Sequence, residues 1–197
     1  MNRILLSAFI IALLTGSAHA RVIRNGDCTV DSEILQLPAC ALETHNDKLY
    51  VSKVYLPLFF SSTGITLETG TPGNLASTFL PEGDWAYLNR AGLIVVRNVA
   101  TMDNGANEFH HGLVRITKDN KWGLADIQGR MIVPLTYDGL LDYQADVGWL
   151  ACTGCKYVKH GEYGSFQSGN WVRLDRRGKV GSPTEPPPAA QNPKQQG

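Results

Sequence analysis

The chain has 197 residues, 43% of them hydrophobic, and its 18 Lys and Arg residues are balanced by 18 Asp and Glu residues. A neutral chain without a basic stripe lacks the pattern of a nucleic-acid-binding protein or of a polybasic membrane protein. The sequence therefore excludes both of these protein classes. The length and hydrophobic content predict one folded domain.

The first 20 residues have the pattern of a secretory signal peptide. Arg3 supplies the positive start, residues 4–14 form an apolar run, and Ala18-His19-Ala20 is a small-x-small cleavage site. The apolar run is too short to span the roughly 30 Å hydrocarbon layer of a bilayer. We therefore expect cleavage after Ala20 and a periplasmic or secreted protein that is not inserted in the membrane.

Residues 21–83 are predicted to form an N-terminal β segment. Residues 46–60 alternate between polar and apolar side chains for part of their length, which predicts one or two strands and a divergent repeat that caps the domain. In an oxidising compartment Cys28 and Cys40 favour a disulfide. Four cysteines allow three pairings, so the sequence leaves the connectivity open.

Three tryptophans each begin a segment with the same spacing. An Asp or Asn stands four residues after the tryptophan, a glycine seven residues after it, and an apolar residue nine residues after it. Asp and Asn bond the backbone two residues on, and glycine takes the positive φ that ends a tight turn. The signature residues are Trp85, Asn89, Gly92, Trp122, Asp126, Gly129, Trp171, Asp175 and Gly178. This spacing predicts that residues 84–181 form an all-β domain of repeated hairpins with little helix. The hairpins would be arranged as a solenoid, a small open propeller or an irregular barrel.

The best-formed copy also carries Gly123 directly after its tryptophan, and Pro134 at the end of its second apolar run. This copy, residues 121–138, resembles the repeat unit of the WG-repeat family of bacterial secreted and surface proteins. The resemblance extends in weaker form over residues 84–180. It implies a structural or interaction module, and it carries over no catalytic residue.

Cys152 and Cys155 form a C-x-x-C motif, preceded by Trp149 and followed by Lys156, which resembles a thioredoxin active site. Thiol chemistry would require Cys152 at the start of a helix, where the helix dipole lowers the thiol pKa. The following glycines, aromatic residues and β-branched residues indicate strand and loop instead. The sequence therefore favours a structural disulfide, with a periplasmic thiol-disulfide oxidoreductase as the alternative function.

Histidines and carboxylates give no recognisable metal or catalytic pattern. His160 as a third zinc ligand beside the C-x-x-C motif leaves the site without a fourth ligand in paired spacing. His110 and His111 are adjacent, so in a strand they point to opposite faces. A hydrolase with a carboxylate pair brought together by folding is a third hypothesis. We expect no cofactor and no metal.

The sequence therefore favours a non-enzymatic binding module whose partner is an envelope protein, a toxin or effector, or a glycan. Tyrosines near the links between repeats would supply aromatic contacts. They are Tyr137, Tyr143, Tyr157 and Tyr163. The final segment, residues 182–197, is rich in proline and poor in apolar side chains, which predicts a disordered tail.

Overall fold

The computed structural model describes residues 23–25, 28–30, 36–60, 74–102, 105–161 and 163–186, so the predicted signal peptide lies outside the described residues. Within these ranges the chain is mostly β-strand, in antiparallel sheets that do not close into a barrel. The prediction of an all-β fold with little helix is confirmed, and the barrel alternative is wrong.

The central architecture consists of three units, each a meander of three antiparallel strands in which the second strand begins at or next to a signature tryptophan. Unit 1 contains β5 (Leu75–Phe79), β6 (Trp85–Asn89) and β7 (Ile94–Val99), and unit 2 contains β10 (Leu113–Lys118), β11 (Lys121–Asp126) and β12 (Met131–Tyr137). Unit 3 contains β14 (Trp149–Thr153), β17 (Asn170–Leu174) and β18 (Val180–Thr184).

Unit 3 carries an extra hairpin between its first two strands. This inserted hairpin consists of β15 (Lys156–His160) and β16 (Tyr163–Gln167), which pair only with each other among the described strands. The sequence accounts for it, because the second and third signature tryptophans are 49 residues apart whereas the first and second are 37 apart. The difference of 12 residues matches the length of the insertion, residues 156–167.

Shorter elements precede and link the units. They are β1 (Ile23–Asn25), β2 (Cys28–Val30), a 3-10 turn at Ala39–Ala41, β3 (Leu42–His45), β4 (Lys48–Val51), α1 (Leu56–Phe60), β8 (Thr101–Met102), β9 (Gly105–Ala106) and β13 (Gly139–Leu140). Units 1 and 2 share a six-stranded sheet in the order β12-β11-β10-β7-β6-β5, and β13 joins unit 3 in the order β13-β14-β17-β18.

Buried clusters connect each unit to the one before it. One cluster joins the N-terminal segment, through residues such as Leu37 and Phe59, to unit 1. A second joins units 1 and 2, and a third joins Leu124 and Val133 of unit 2 to Trp149 of unit 3. Each unit therefore buries its apolar face against a sequence neighbour, as expected of a repeat architecture.

The three predicted turns have the same geometry. In each one, the signature Asp or Asn accepts two backbone N–H bonds through Oδ1, from the residues two and four positions later, at 2.8–3.1 Å. The signature glycine donates its N–H to the carbonyl of that same Asp or Asn, with φ between 77° and 85°. The interpretation of these offsets as tight turns is confirmed at Asn89, Asp126 and Asp175.

Two of the turn glycines sit against the backbone of the preceding segment. A Cβ atom on Gly129 of unit 2 would overlap the carbonyl oxygen of Val95 in unit 1. A Cβ atom on Gly92 of unit 1 would lie 2.6 Å from the carbonyl oxygen of Val51 in β4. Glycine is therefore required for close stacking between units as well as for positive φ.

Gly123 has a separate role. A Cβ atom there would overlap the carbonyl oxygen of Val133 and would lie 3.0 Å from Pro134, next to a register shift between β11 and β12. The tryptophan–glycine pair of this copy thus allows β12 to approach β11 closely at an irregular point in their pairing.

Several sequence boundaries need correction. Unit 1 begins at Leu75, inside the predicted N-terminal segment 21–83, because its first strand carries no tryptophan signature. Residues 56–60, predicted as strand, form α1. Pro57 lies in the first turn of that helix, where its missing N–H needs no partner. Residues 182–184, predicted as tail, complete β18, and residues 187–197 lie outside the described part.

The Asp126 turn gives a first testable prediction. Burial raises the Asp126 pKa, but hydrogen bonds from Arg130 and Gln128 outweigh burial, so the pKa falls below its ordinary 3.8. We expect Asp126→Ala to lower the free energy of unfolding by about 1–2 kcal/mol, because two backbone donors lose their acceptor. Asp126→Asn keeps that acceptor, as Asn89 does in unit 1, and should cost less.

Urea unfolding at several pH values would test both parts. A carboxylate with a lowered folded pKa contributes stability that is complete above pH 3.8 and is lost as pH falls through the folded value. Wild type should therefore lose this contribution in acid while Asp126→Asn does not. Equal losses in the two proteins would show that the Asp126 carboxylate does not stabilise the turn.

Candidate functional site

An open cleft of about 700 Å³ lies between unit 2 and the inserted hairpin of unit 3. Strands β10 and β11 and the turn between them form one wall, through Thr117, Asn120 and Trp122. The inserted hairpin forms the opposite wall, through Tyr157 and Phe166. A cleft with aromatic walls and a few polar groups has the composition expected of a ligand site.

Phe166 connects the aromatic residues of the cleft. Its ring centroid lies 5.8 Å from that of Trp122, at an interplanar angle of 88°, and 5.2 Å from that of Tyr157, at 63°. Both are edge-to-face arrangements, which aromatic pairs favour. The Phe166 ring packs directly on the backbone of Gly139, because a Cβ atom there would lie only 2.6 Å from the ring.

Tyr157 offers the most accessible aromatic surface. The residue is 58% exposed. Its ring lies across Gly164 on the neighbouring strand, so closely that a Cβ atom on Gly164 would overlap it. An aromatic ring laid over a strand glycine is held in place on one side. Tyr157 is therefore a pre-positioned platform for a flat ligand group.

Arg115 supplies a partly buried positive charge. Its Cζ lies 5.8 Å from the Trp122 ring centroid, and it donates hydrogen bonds from Nε to Asn107 and from Nη1 to the Leu140 carbonyl. Burial lowers the Arg115 pKa, and the Asp142 carboxylate at 3.7 Å opposes this. Arginine stays charged even so, and it locks the linker before unit 3 onto unit 2.

The carboxylate lining the cleft is already paired. Asp138 accepts hydrogen bonds from Lys121 Nζ at 2.5 Å and from the Gly154 N–H at 2.6 Å. The Lys121 bond, followed by the Gly154 bond, lowers the Asp138 pKa. Lys156 lines the opposite wall. Because Asp138 is paired with Lys121 and Arg115 is paired with Asp142, the remaining charge of the lining is the positive charge of Lys156.

The Cys152–Cys155 disulfide is present and closes the base of the inserted hairpin, with 5.9 Å between the two Cα atoms. Cys152 is fully buried in β14, paired with Gly139 and Trp171, and Cys155 is 8% exposed. The motif lies at a strand end rather than at a helix start. Neither burial nor local structure favours thiol exchange.

Cys40 is also disulfide-bonded. The Cys28 side chain lies outside the described residues, so the Cys28–Cys40 pairing stays a prediction.

The buried disulfide leads to a second testable prediction. We expect the Cys152–Cys155 bond to have a reduction potential below about −300 mV, the range of structural disulfides. Loss of the bond in a Cys152→Ser, Cys155→Ser variant should cost about 2 kcal/mol on the chain-entropy estimate for so short a loop. Equilibration with a thiol redox buffer would measure the potential. A markedly more oxidising value, with catalysed disulfide exchange, would instead support the oxidoreductase alternative.

The two adjacent histidines lie at the turn before β10 and contact Tyr143. His110 stacks on the Tyr143 ring with centroids 5.3 Å apart and lies 3.6 Å from Asp142, and His111 Nε2 is 2.9 Å from the Tyr143 hydroxyl. Among the residues with described side chains, no three His, Cys, Asp or Glu groups converge on a possible metal position. The side chain of His160 is not among them.

The four tyrosines have different environments. Tyr157 lines the cleft, whereas Tyr143 packs against Trp149 with centroids 5.4 Å apart. Tyr137 is half-buried opposite Trp122, and burial raises its pKa. The Tyr163 side chain lies outside the described residues. Sequence reasoning missed Phe166 and Arg115, although the extra 12 residues in unit 3 mark the hairpin that carries Phe166.

No helix in the described ranges is both long enough and apolar enough to cross a membrane. Comparisons of the chain with family models, curated proteins and solved structures find no match. The site is therefore interpreted from its own chemistry.

Proposed function

We propose that this protein is an exported binding module, without enzymatic activity, whose recognition site is the cleft between unit 2 and the inserted hairpin. The observation that carries the proposal is the exposed Tyr157 ring held against Gly164 beside Phe166 and Trp122. Large aromatic rings with few free torsions provide contact area at low entropic cost. The signal-peptide pattern of residues 1–20 supports export.

We also propose that the chain is a divergent relative of the WG-repeat proteins. The support is the shared geometry of the three turns, together with the glycine-dependent close approach at Gly123 in the best-formed copy. Serial stacking of such units presents a broad surface that is suited to binding.

The cleft can be tested by partner recovery. The mature oxidised protein, residues 21–197, would be immobilised and exposed to envelope extract and culture fluid. We expect Tyr157→Ala to weaken binding of the recovered partner by at least about 30-fold, the effect of losing an interface hot spot. Tyr157→Phe, which keeps the ring, should retain most of the affinity.

Tyr50→Ala is the matched control, because Tyr50 is a half-buried tyrosine on the β3–β4 hairpin and does not line the cleft. Circular dichroism would confirm that all three variants are folded. If Tyr157→Ala bound the partner as tightly as Tyr50→Ala, the recognition site would have to lie elsewhere.

A further inference from the structure

The junctions between units use the same two parts, a glycine turn of one unit and the third strand of the unit before it. The Gly129 turn of unit 2 lies on Val95 of β7. A Cβ atom on Gly178 of unit 3 would lie 2.9 Å from Val133 and 3.3 Å from Ile132 of β12. Val95 and Ile132 each stand six residues after the Asp or Asn that opens the turn of their own unit. The third strand of a unit therefore accepts the turn that follows.

The corresponding acceptor on unit 3 is exposed. Gly181 of β18 stands six residues after Asp175 and is open to solvent. A Cβ atom on Gly181 would have Arg173 of β17 as its only neighbour within 4 Å among the described residues. Gly181 and Pro183 line an open depression of about 380 Å³, and the adjoining Val180 is 55% exposed. Unit 3 thus ends the array with an acceptor that carries no turn from the described part of the chain.

Unit 1 carries a further turn of the same type, residues 80–84 between β5 and β6. The Leu80 N–H donates to the Asp84 carbonyl and the Gly83 N–H donates to the Leu80 carbonyl, both at 2.9 Å. The three signature turns contain the same pair of backbone bonds. Gly83 has a φ of +92°, and a Cβ atom on it would meet no described atom within 4 Å. Residues 80–84 are therefore a donor turn that is not stacked on any described strand.

The donor turn and the acceptor carry opposite charges. Glu82 and Asp84 share Arg97 as an ion-pair partner, each at 3.7 Å, so two carboxylates face one guanidinium. Residues 173–181 contain one carboxylate, Asp175. The same segment carries four exposed basic residues, Arg173, Arg176, Arg177 and Lys179. An acidic turn and a basic acceptor attract each other and favour one docking orientation.

We propose that a second copy of this chain occupies the acceptor, with the donor turn of one molecule docked on Gly181 of the next. The contact would repeat between molecules the stacking that joins the units within one molecule. It joins two different surfaces, so every complex keeps one free donor turn and one free acceptor and can add further copies. Neither surface belongs to the cleft, so this inference is independent of the proposed function.

Sedimentation velocity of the mature oxidised protein, residues 21–197, over a series of concentrations would test the contact. We expect wild type to form complexes larger than dimers as concentration rises, and to form fewer of them at high salt. Gly83→Ala should weaken association by at least about tenfold, because its Cβ atom would lie inside the contact. Gly112→Ala is the matched control, since Gly112 also has a positive φ and an open Cβ position, and it should associate as wild type does.

A mixing experiment would show that the contact joins two different surfaces. Arg173→Glu reverses a charge at the acceptor and leaves the donor turn intact, whereas Gly83→Ala does the opposite. Each variant alone should associate at least about tenfold more weakly than wild type. The two variants mixed in equal amounts should form a 1:1 complex that does not grow, because one intact donor turn and one intact acceptor remain. Circular dichroism would confirm that both variants are folded.

Three results would overturn the inference. The first is a wild-type protein that stays monomeric up to about 1 mM, the Kd of a very weak complex. The second is a mixture of the two folded variants that stays monomeric. The third is a wild-type dimer that persists unchanged in Gly83→Ala, which would indicate a symmetric contact such as the pairing of two β18 edges. None of these results would change the partner test at Tyr157.

Discussion

We expect Gly129→Ala to lower the free energy of unfolding by about 3 kcal/mol. Gly129 has a φ of +78°, which costs an L-residue roughly 1–2 kcal/mol. Its Cβ atom would also overlap the Val95 carbonyl oxygen, and relieving such overpacking costs roughly another 1–3 kcal/mol. Urea unfolding followed by tryptophan fluorescence would measure the change, because a loss of this size moves the midpoint clearly.

Gly112→Ala is the matched control for this substitution. Gly112 has nearly the same φ, +79°, but a Cβ atom there would have no neighbour within 4 Å. We expect Gly112→Ala to cost only the roughly 1–2 kcal/mol that an L-residue loses at positive φ. The difference between the two variants isolates the contact of the unit 2 turn with unit 1. Equal destabilisation would mean that the turn does not stack closely on β7.

A second large effect is expected at Trp149, where Trp149→Ala should cost about 4 kcal/mol. The ring is fully buried in the cluster that joins Leu113, Leu124 and Val133 of unit 2 to Leu174 of unit 3. Removing it opens a cavity at the junction of the two units. Thermal and urea unfolding would measure the loss, and the inserted hairpin should lose its fixed position against unit 2.

Trp149→Phe and Trp171→Phe provide an internal comparison. Trp149 Nε1 is buried without a hydrogen-bond partner among the described residues, whereas Trp171 Nε1 donates to the Ser168 carbonyl at 2.8 Å. Phenylalanine removes an unsatisfied donor in the first case and leaves an acceptor without its donor in the second. We expect the first change to cost less by about 1 kcal/mol. The reverse order would contradict this account of the two rings.

Local chemistry explains which parts of the fold could be predicted. The turns at Asn89, Asp126 and Asp175 depend on residues within four positions of each other, so the spacing of Asp or Asn and glycine was sufficient to identify them. The low helix content was likewise predictable, because it follows from short-range sequence patterns. The C-x-x-C disulfide was predictable for a similar reason, since its cysteines are only three positions apart.

Long-range packing explains what the sequence did not reveal. Trp85 and Trp122 are half-buried against the clusters that join units 1 and 2 and units 2 and 3, whereas Trp171 is buried in a separate cluster with Leu150 and the disulfide. The ring that fills the second junction belongs to Trp149, which lies outside the repeat pattern. Tertiary context decides such burial. The cleft likewise depends on the inserted hairpin folding back onto unit 2, which no local pattern encodes.

Hydrogen–deuterium exchange of the mature protein, alone and bound to its recovered partner, would test the proposed recognition site most directly. We expect the partner to slow exchange in residues 117–122 and 156–167, the two walls of the cleft, and to leave the β3–β4 hairpin unchanged. Protection confined to the exposed strands β12 and β18, with no change in the inserted hairpin, would contradict the assignment of the cleft as the binding site.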